Sequence, residues 1–287
     1  MYMDKIKTFI KKRIGIVGAG RVGSNIAYWL AKDGWHIRAV YDKNMESARK
    51  LASAVPTGYV DSLEKIFKRC DIVFLTVPES AITEILEEIG EFDYCRTEIL
   101  ITMSGILPSD ILGLAGMEFS KVSLHPLAGI PTLDKSQNPF YKVFFSVEGD
   151  EYAKTFAKIV VEQLGGYFWE IEPQNKTIYH TAGAFGANTI FSIIYATEQI
   201  LRKSGFPEEH IRTAVAETMI RVIENYRNLG LPDSITGPLA RGDYSTVLAH
   251  LIALKDTEYL DLYIETMRIY SNILGVRERF EELVGYI

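Results

Sequence analysis

A short apolar run, Ile14-Gly-Ile-Val17, gives way to Gly18-Ala-Gly20-Arg-Val-Gly23 just where a helical pattern of Ile26, Ala27, Leu30 and Ala31 begins. Few structures place three glycines at that spacing between a buried strand and a helix. Gly18 permits a tight turn, Gly20 lets the backbone approach a pyrophosphate, and Gly23 lets the helix lie close to the strand. The first N–H groups of the helix have no partner within it and would face the phosphates. A second run, His36 to Tyr41, ends in Asp42, nineteen residues after Gly23, where an acidic side chain receives ribose hydroxyls. The pattern predicts a dinucleotide held by Gly18, Ala19, Gly20, Arg21, Val22, Gly23 and Asp42. The alternative is an ordinary glycine-bearing turn with a surface aspartate. Asp42 favours NAD, because a 2′-phosphate would meet its charge; Lys43 and Arg21 offer NADP a countercharge.

The chain of 287 residues is long enough for two domains and a sizeable core. Its 47% apolar and 24% charged residues suit a soluble globular protein, and no apolar stretch approaches the ~18 residues of a membrane helix. Residues 1–12 lack the apolar segment and small-residue cleavage site of a secretory leader. Cys70 and Cys95 have no metal-ligand spacing and fit a reducing, cytoplasmic setting. A net charge of −6 without a long basic run argues against nucleic acid as a partner.

After Asp42 the pattern predicts a helix over 47–55, a short strand at Tyr59-Val60 and a helix over 63–68. The next strand, Asp71-Ile-Val-Phe-Leu-Thr-Val-Pro78, is closed by a proline that cannot extend it. Thr76, Val77 and Pro78 then lie at a strand's carboxyl end, where a crevice takes ligands. Further strands over 98–102, 121–124, 143–147 and 167–171 are expected, with helices over 81–89 and 152–164. From residue 172 onward the pattern is helical. Residues 189–201 are apolar almost all round, which suits a helix buried on more than one side. The fold expected is α/β: a doubly wound, mostly parallel sheet over 1–171, then an all-α domain over 172–287. The apolar helices also predict a homodimer.

Several segments together resemble a known group: the N-terminal unit, Ser104-Gly105, Ser123-Leu124-His125-Pro126, Lys176-x3-His180, Asn188, and Thr236-Gly-Pro-Leu-Ala-Arg-Gly-Asp243 with His250. The chain resembles Rossmann-like proteins carrying the domain called DUF2520. That group is similar in plan to ketopantoate reductases, pyrroline-5-carboxylate reductases and 6-phosphogluconate dehydrogenases. The resemblance implies NAD or NADP as cofactor, a helical domain that often forms a dimer, and 2-dehydropantoate, from pantothenate synthesis, as a first candidate substrate. Imine reduction and non-catalytic nucleotide sensing are the alternatives. The group often has a Ser-Arg ending on its second strand; this chain has Tyr41-Asp42-Lys43.

Reduction of a carbonyl by a nicotinamide needs a proton donor beside the oxygen that becomes an alkoxide. Lys176 is the lead candidate, placed by the two-domain plan at the interdomain crevice, with a solvated surface lysine as the alternative. His180, four residues on, shares its helix face. Asn188 is twelve residues on and contributes only if the helix bends or the ligand is broad. His125 is expected at a strand end, touching substrate or ribose, or else holding a turn. Ser104 is read as a contact to substrate or cofactor, or as a turn cap. Arg241 offers a planar fork to a substrate carboxylate, the alternative being an ion pair with Asp243. His250 reads as a structural histidine, and the histidine spacings match no metal motif.

Overall fold

The computed structural model describes residues 2–287, with side chains from Ile6 onward. The chain divides into two compact units, Met1–Ala187 and Asn188–Ile287. The first opens with α1 (Tyr2–Phe9), β1 (Ile14–Val17), α2 (Arg21–Lys32), β2 (Ile37–Tyr41), α3 (Met45–Ala54), β3 (Gly58–Tyr59), α4 (Leu63–Arg69), β4 (Ile72–Leu75), α5 (Glu79–Gly90) and β5 (Ile99–Thr102). It continues through β6 (Ser120–Pro126), β7 (Phe144–Gly149), α6 (Glu151–Gln163), β8 (Tyr167–Glu170) and the start of α7 (Lys176–Lys203).

The eight strands form one sheet in the order β3-β2-β1-β4-β5-β6-β7-β8. All neighbours are parallel except β6 and β7, which pair antiparallel with His125 opposite Ser146. The doubly wound, mostly parallel sheet expected from the sequence is therefore present. Its connections reverse direction between β1 and β4, which places the crevice of a doubly wound sheet at the ends of those two strands.

Every residue of β1, β4 and β5 is buried because helices cover both faces of the sheet. That is why these strands read as unbroken apolar runs instead of alternating ones. The two-residue period persists in which side they serve. Ile14, Ile16, Ile72 and Phe74 join Ile26, Leu30 and Phe156 on one side, whereas Val17, Val73 and Leu75 join Leu63, Phe67 and Leu86 on the other. At the opposite end of the strands Asp71, itself buried, accepts from Arg13 at 2.9 and 3.0 Å and from Arg96 at 2.8 Å. This charge-paired clamp fixes the starts of β1 and β4.

The second unit contains the rest of α7, then α8 (Glu208–Leu229), α9 (Tyr244–Leu254), α10 (Leu260–Ile273) and α11 (Arg277–Val284). Its core is Leu239, Val247, Leu251, Ile264, Phe280 and Leu283. The expectation that 189–201 is buried on more than one side is not met within the chain. Phe191 is 69% and Tyr195 58% exposed, and in this stretch only Ala196 is buried. A helix apolar on every side exceeds what its own neighbours cover. On α8, Val222, Ile223, Tyr226 and Leu229 are exposed as well. No helix is long and apolar enough to cross a membrane among the described residues.

Candidate active site

The turn between β1 and α2 shows why glycine occupies each of its three positions. Gly18 takes φ +99°, and a Cβ there would sit 2.7 Å from the Thr76 carbonyl oxygen. A Cβ on Gly23 would lie 2.0 Å from the Gly18 oxygen and 2.4 Å from Thr76 Oγ1. Thr76 Oγ1 donates to Gly18 O at 2.6 Å, so β4 braces the turn. Gly20 differs, since nothing lies within 4 Å of where its Cβ would be. Two glycines thus serve packing and the middle one faces open space, as a bound pyrophosphate requires. The α2 N-terminus has no side-chain cap, which leaves its N–H groups for an anion.

Two cavities meet at Gly20. One, of about 380 Å³, is lined by Gly18, Asp42, Lys43, Thr76, Val77 and Pro78. The other, of about 420 Å³, is lined by Arg21, Val22, Glu79, Ser104, Gly105 and His125 among others. This pair fits a ligand with two ends joined at a pyrophosphate. Ala19 donates its N–H to Asp42 Oδ2 at 2.6 Å, and Asn44 donates its N–H to Oδ1 at 2.7 Å. Asp42 therefore ties the end of β2 to the glycine turn.

Beside the second cavity the first unit gathers four of the residues singled out in the sequence. Lys176, the first residue of α7, is fully buried, which excludes the surface-lysine alternative. Its Nζ donates to Ser123 Oγ at 2.7 Å and to Ser104 O at 3.2 Å. Burial lowers the Lys176 pKa, and the negative Glu148 opposes the shift. His180 abuts Gly105, where a Cβ would come within 2.2 Å of the His180 ring and 2.8 Å of His125 Nε2. The two imidazole rings are 5.5 Å apart. His125 Nδ1 is buried with no hydrogen-bond partner. Burial, then the neighbouring His180 and Lys176, push the His125 pKa down to about 4, so its ring is neutral at pH 7.

Ser104 serves as the turn cap considered for it. Its Oγ caps the following turn, accepting from Ile106 N and Leu107 N at 3.2 and 3.0 Å, and donates to Glu79 Oε1 at 2.9 Å. Asn188 and Arg241 belong to the second unit and are exposed. Arg241 lies in a turn where Gly237 and Gly242 take φ of +113° and +71°. Asp243 caps α9, accepting from Thr246 N at 3.2 Å and Thr246 Oγ1 at 2.7 Å, so the proposed pair with Arg241 is not its main engagement. His250 Nδ1 lies 3.0 Å from Tyr263 Oη, a structural contact.

Sequence reasoning assigned no role to Ser123 or Glu79. Ser123 carried a signal, since residues two apart on a strand share a face and His125 was already a candidate. Glu79 follows Pro78 as the first residue of α5, where a carboxylate suits the helix dipole, and nothing in the sequence tied it to Ser104.

Residues 143–269 match the DUF2520 family, a domain of unknown function, and residues 13–104 match the family described as NADP oxidoreductase, coenzyme F420-dependent. The chain is 32% identical over 126 residues to a prephenate dehydrogenase of Lactococcus lactis, covering 41% of this chain and 34% of that protein. It thus spans about a third of the length of that curated relative. A protein of Thermotoga maritima is 22% identical with a TM-score of 0.72, over 92% of this chain and 99% of that one. A pyrroline carboxylate reductase of Plasmodium falciparum with NADP bound is 18% identical with a TM-score of 0.63, over 96% and 99%. These likenesses show a Rossmann fold followed by a helical domain. The match of the nucleotide half to an NADP-oxidoreductase family makes a nicotinamide dinucleotide the cofactor class for the glycine turn.

Proposed function

We propose that this chain, a Rossmann-like protein carrying a DUF2520 domain, is an NAD(P)H-dependent reductase of a small carbonyl or imino acid. The observation that carries the reading is the assembly of Ser104, His125, Lys176 and His180 beside the open middle glycine of the turn. The nicotinamide, when bound, supplies the hydride. Gly18, Ala19, Gly20, Arg21, Val22 and Gly23 hold the pyrophosphate, Asp42 and Lys43 border the adenosine end, and Thr76, Val77 and Pro78 line the path between.

The chain's own side chains handle the proton and the charge. His125, neutral at pH 7, offers a ring N–H from Nε2 to the substrate oxygen or nitrogen, as a neutral imidazole can polarise a carbonyl. Lys176 lies behind the site, fixing Ser104 and Ser123 while adding positive charge where the substrate turns negative. His180, packed on His125 and Gly105, is the proton source that restores the product's hydroxyl or amine. Within the second unit, the exposed guanidinium of Arg241 suits a carboxylate and Asn188 offers a further polar group. The exposed apolar face of α7 and α8 is covered by a second copy of the chain, and the free thiols Cys70 and Cys95 suit the cytoplasm.

The test is oxidation of NADPH and NADH against a panel of small keto and imino acids. 2-Dehydropantoate comes first, on the sequence resemblance, and 1-pyrroline-5-carboxylate second. Turnover that falls in Lys176→Met and His125→Gln supports the reading. Tight cofactor binding with no turnover on any member of the panel would favour a nucleotide sensor instead.

A further inference from the structure

His125 on β6 and Ser146 on β7 stand directly opposite each other where the two strands pair antiparallel, so their side chains project from the same face of the sheet. Each carries a buried polar atom with no hydrogen-bond partner, Nδ1 on His125 and Oγ on Ser146. Ser146 has no exposed surface at all. Side chains at facing positions have Cβ atoms about 4.5–5.5 Å apart, which brings a serine hydroxyl within reach of the ring. The two orphaned atoms are also complementary: one nitrogen of a neutral imidazole accepts, and a serine hydroxyl donates.

The other donors around the ring are committed elsewhere. Lys176 Nζ donates to Ser123 Oγ and Ser104 O, and Ser123 Oγ donates to Ser104 O at 3.4 Å. Tyr179 of α7 packs edge-on against His125 with ring centroids 5.9 Å apart, and donates from Oη to the His125 carbonyl oxygen at 3.4 Å. Burial raises the Tyr179 pKa, with the neighbouring Ser146 opposing, so this hydroxyl keeps its proton and is the rival donor. His180, Lys176 and Glu79 are the charged or titratable groups that act on the ring, and Glu79 is engaged by Ser104. A neutral imidazole holds one proton, and the hydrogen bond made by one nitrogen decides which of the two carries it. Nε2 is the atom turned toward Gly105, which lines the second cavity. A proton on Nδ1 would be buried away from that cavity and leave Nε2 able only to accept.

We propose that Ser146 is a positioning residue for His125: its hydroxyl donates to Nδ1 and so locks the imidazole in the tautomer whose proton, on Nε2, faces the cavity. This rests on the reading of His125 as the group that polarises the substrate, and supplies the device that keeps it a donor.

Nitrogen NMR of the purified chain carrying 15N-labelled histidine reads the tautomer at pH 7.5 without cofactor, substrate or turnover. His125→Gln identifies the signals of this ring among the five histidines. The expected result is a His125 protonated on Nε2 and bare on Nδ1. In Ser146→Ala the share protonated on Nδ1 should rise on the order of tenfold, the weight of one neutral hydrogen bond. Ser146→Thr, which keeps the hydroxyl, should restore the parent tautomer, and Tyr179→Phe should leave it unchanged. A parent chain protonated on Nδ1 overturns the proposal without any variant. An Nε2–H tautomer that Ser146→Ala does not move also overturns it, and leaves the role of His125 standing. A shift in Tyr179→Phe equal to that in Ser146→Ala overturns it too, since Tyr179 is then the donor. The expected tautomer in a chain that reduces no keto or imino acid upholds the lock while the reductase reading fails.

Discussion

Lys176 Nζ donates to Ser123 Oγ at 2.7 Å, which ties the first residue of α7 to the strand that carries His125. A lysine with no exposed surface is held there against its own solvation. Its folded-state pKa is depressed below the ordinary 10.5, so the unfolded chain binds that proton more readily. Below the depressed value the penalty is fully present; between that value and 10.5 stability rises with pH. Lys176→Met should therefore keep or raise the melting temperature at pH 7 and flatten this alkaline rise. Turnover should nevertheless fall about 10²-fold or more. A variant that unfolds, or one that keeps full turnover, would argue against an electrostatic role for this lysine.

His125 carries a pH dependence of its own. Its folded value of about 4 lies below the ordinary 6.5, so on acidification the unfolded chain takes up the proton first. Stability is full above pH 6.5 and declines down to pH 4, by up to about 3 kcal/mol across the window. Urea midpoints at pH 7.5 and 4.5 should fall further apart in the parent chain than in His125→Gln. Equal spacing in the two proteins would mean that the ring titrates as in water.

Gly105 is a steric test of the histidine pair. A methyl group there must displace His180 or His125, both being flexible side chains instead of backbone. Gly105→Ala should fold with a cooperative transition and lose about 10²-fold in turnover, the scale of a 1 Å misplacement. Undiminished turnover would remove His180 and His125 from the chemistry.

Much of this site could be read before the structure. The glycine turn and Asp42 stand out because their spacing answers one steric problem, and Lys176 and His180 because four residues make one helix face. The doubly covered strands announce themselves as apolar runs. What stayed hidden depends on tertiary approach: Ser123 under Lys176, Glu79 on Ser104, and the loop at Pro131 that Asn25 holds against α2. The helix over 189–201 shows another limit. Hydrophobic pattern reports that a face must be covered, and is silent on whether the cover comes from the same chain.

That uncovered face gives a further expectation. Phe191 and Tyr195 on α7 and Tyr226 on α8 are exposed by 69, 58 and 57%. Apolar exposure of this extent marks an association surface. Light scattering at micromolar concentration should give twice the monomer mass, reduced to the monomer in a Phe191→Glu, Tyr226→Glu double variant. A monomeric parent chain would contradict the second copy proposed here.

If a nicotinamide dinucleotide lies on the turn at Gly20, Gly20→Val is the substitution that disturbs it most directly. Gly20 has φ −72°, which any residue adopts, and no atom lies within 4 Å of the added Cβ, so the fold has no reason to change. In a fluorescence titration with NADPH and NADH, the parent chain should bind at least one saturably. The variant, with an unaltered melting temperature, should bind at least about tenfold more weakly. Equal binding by parent and variant, or no binding of either nucleotide by the parent, would contradict the account.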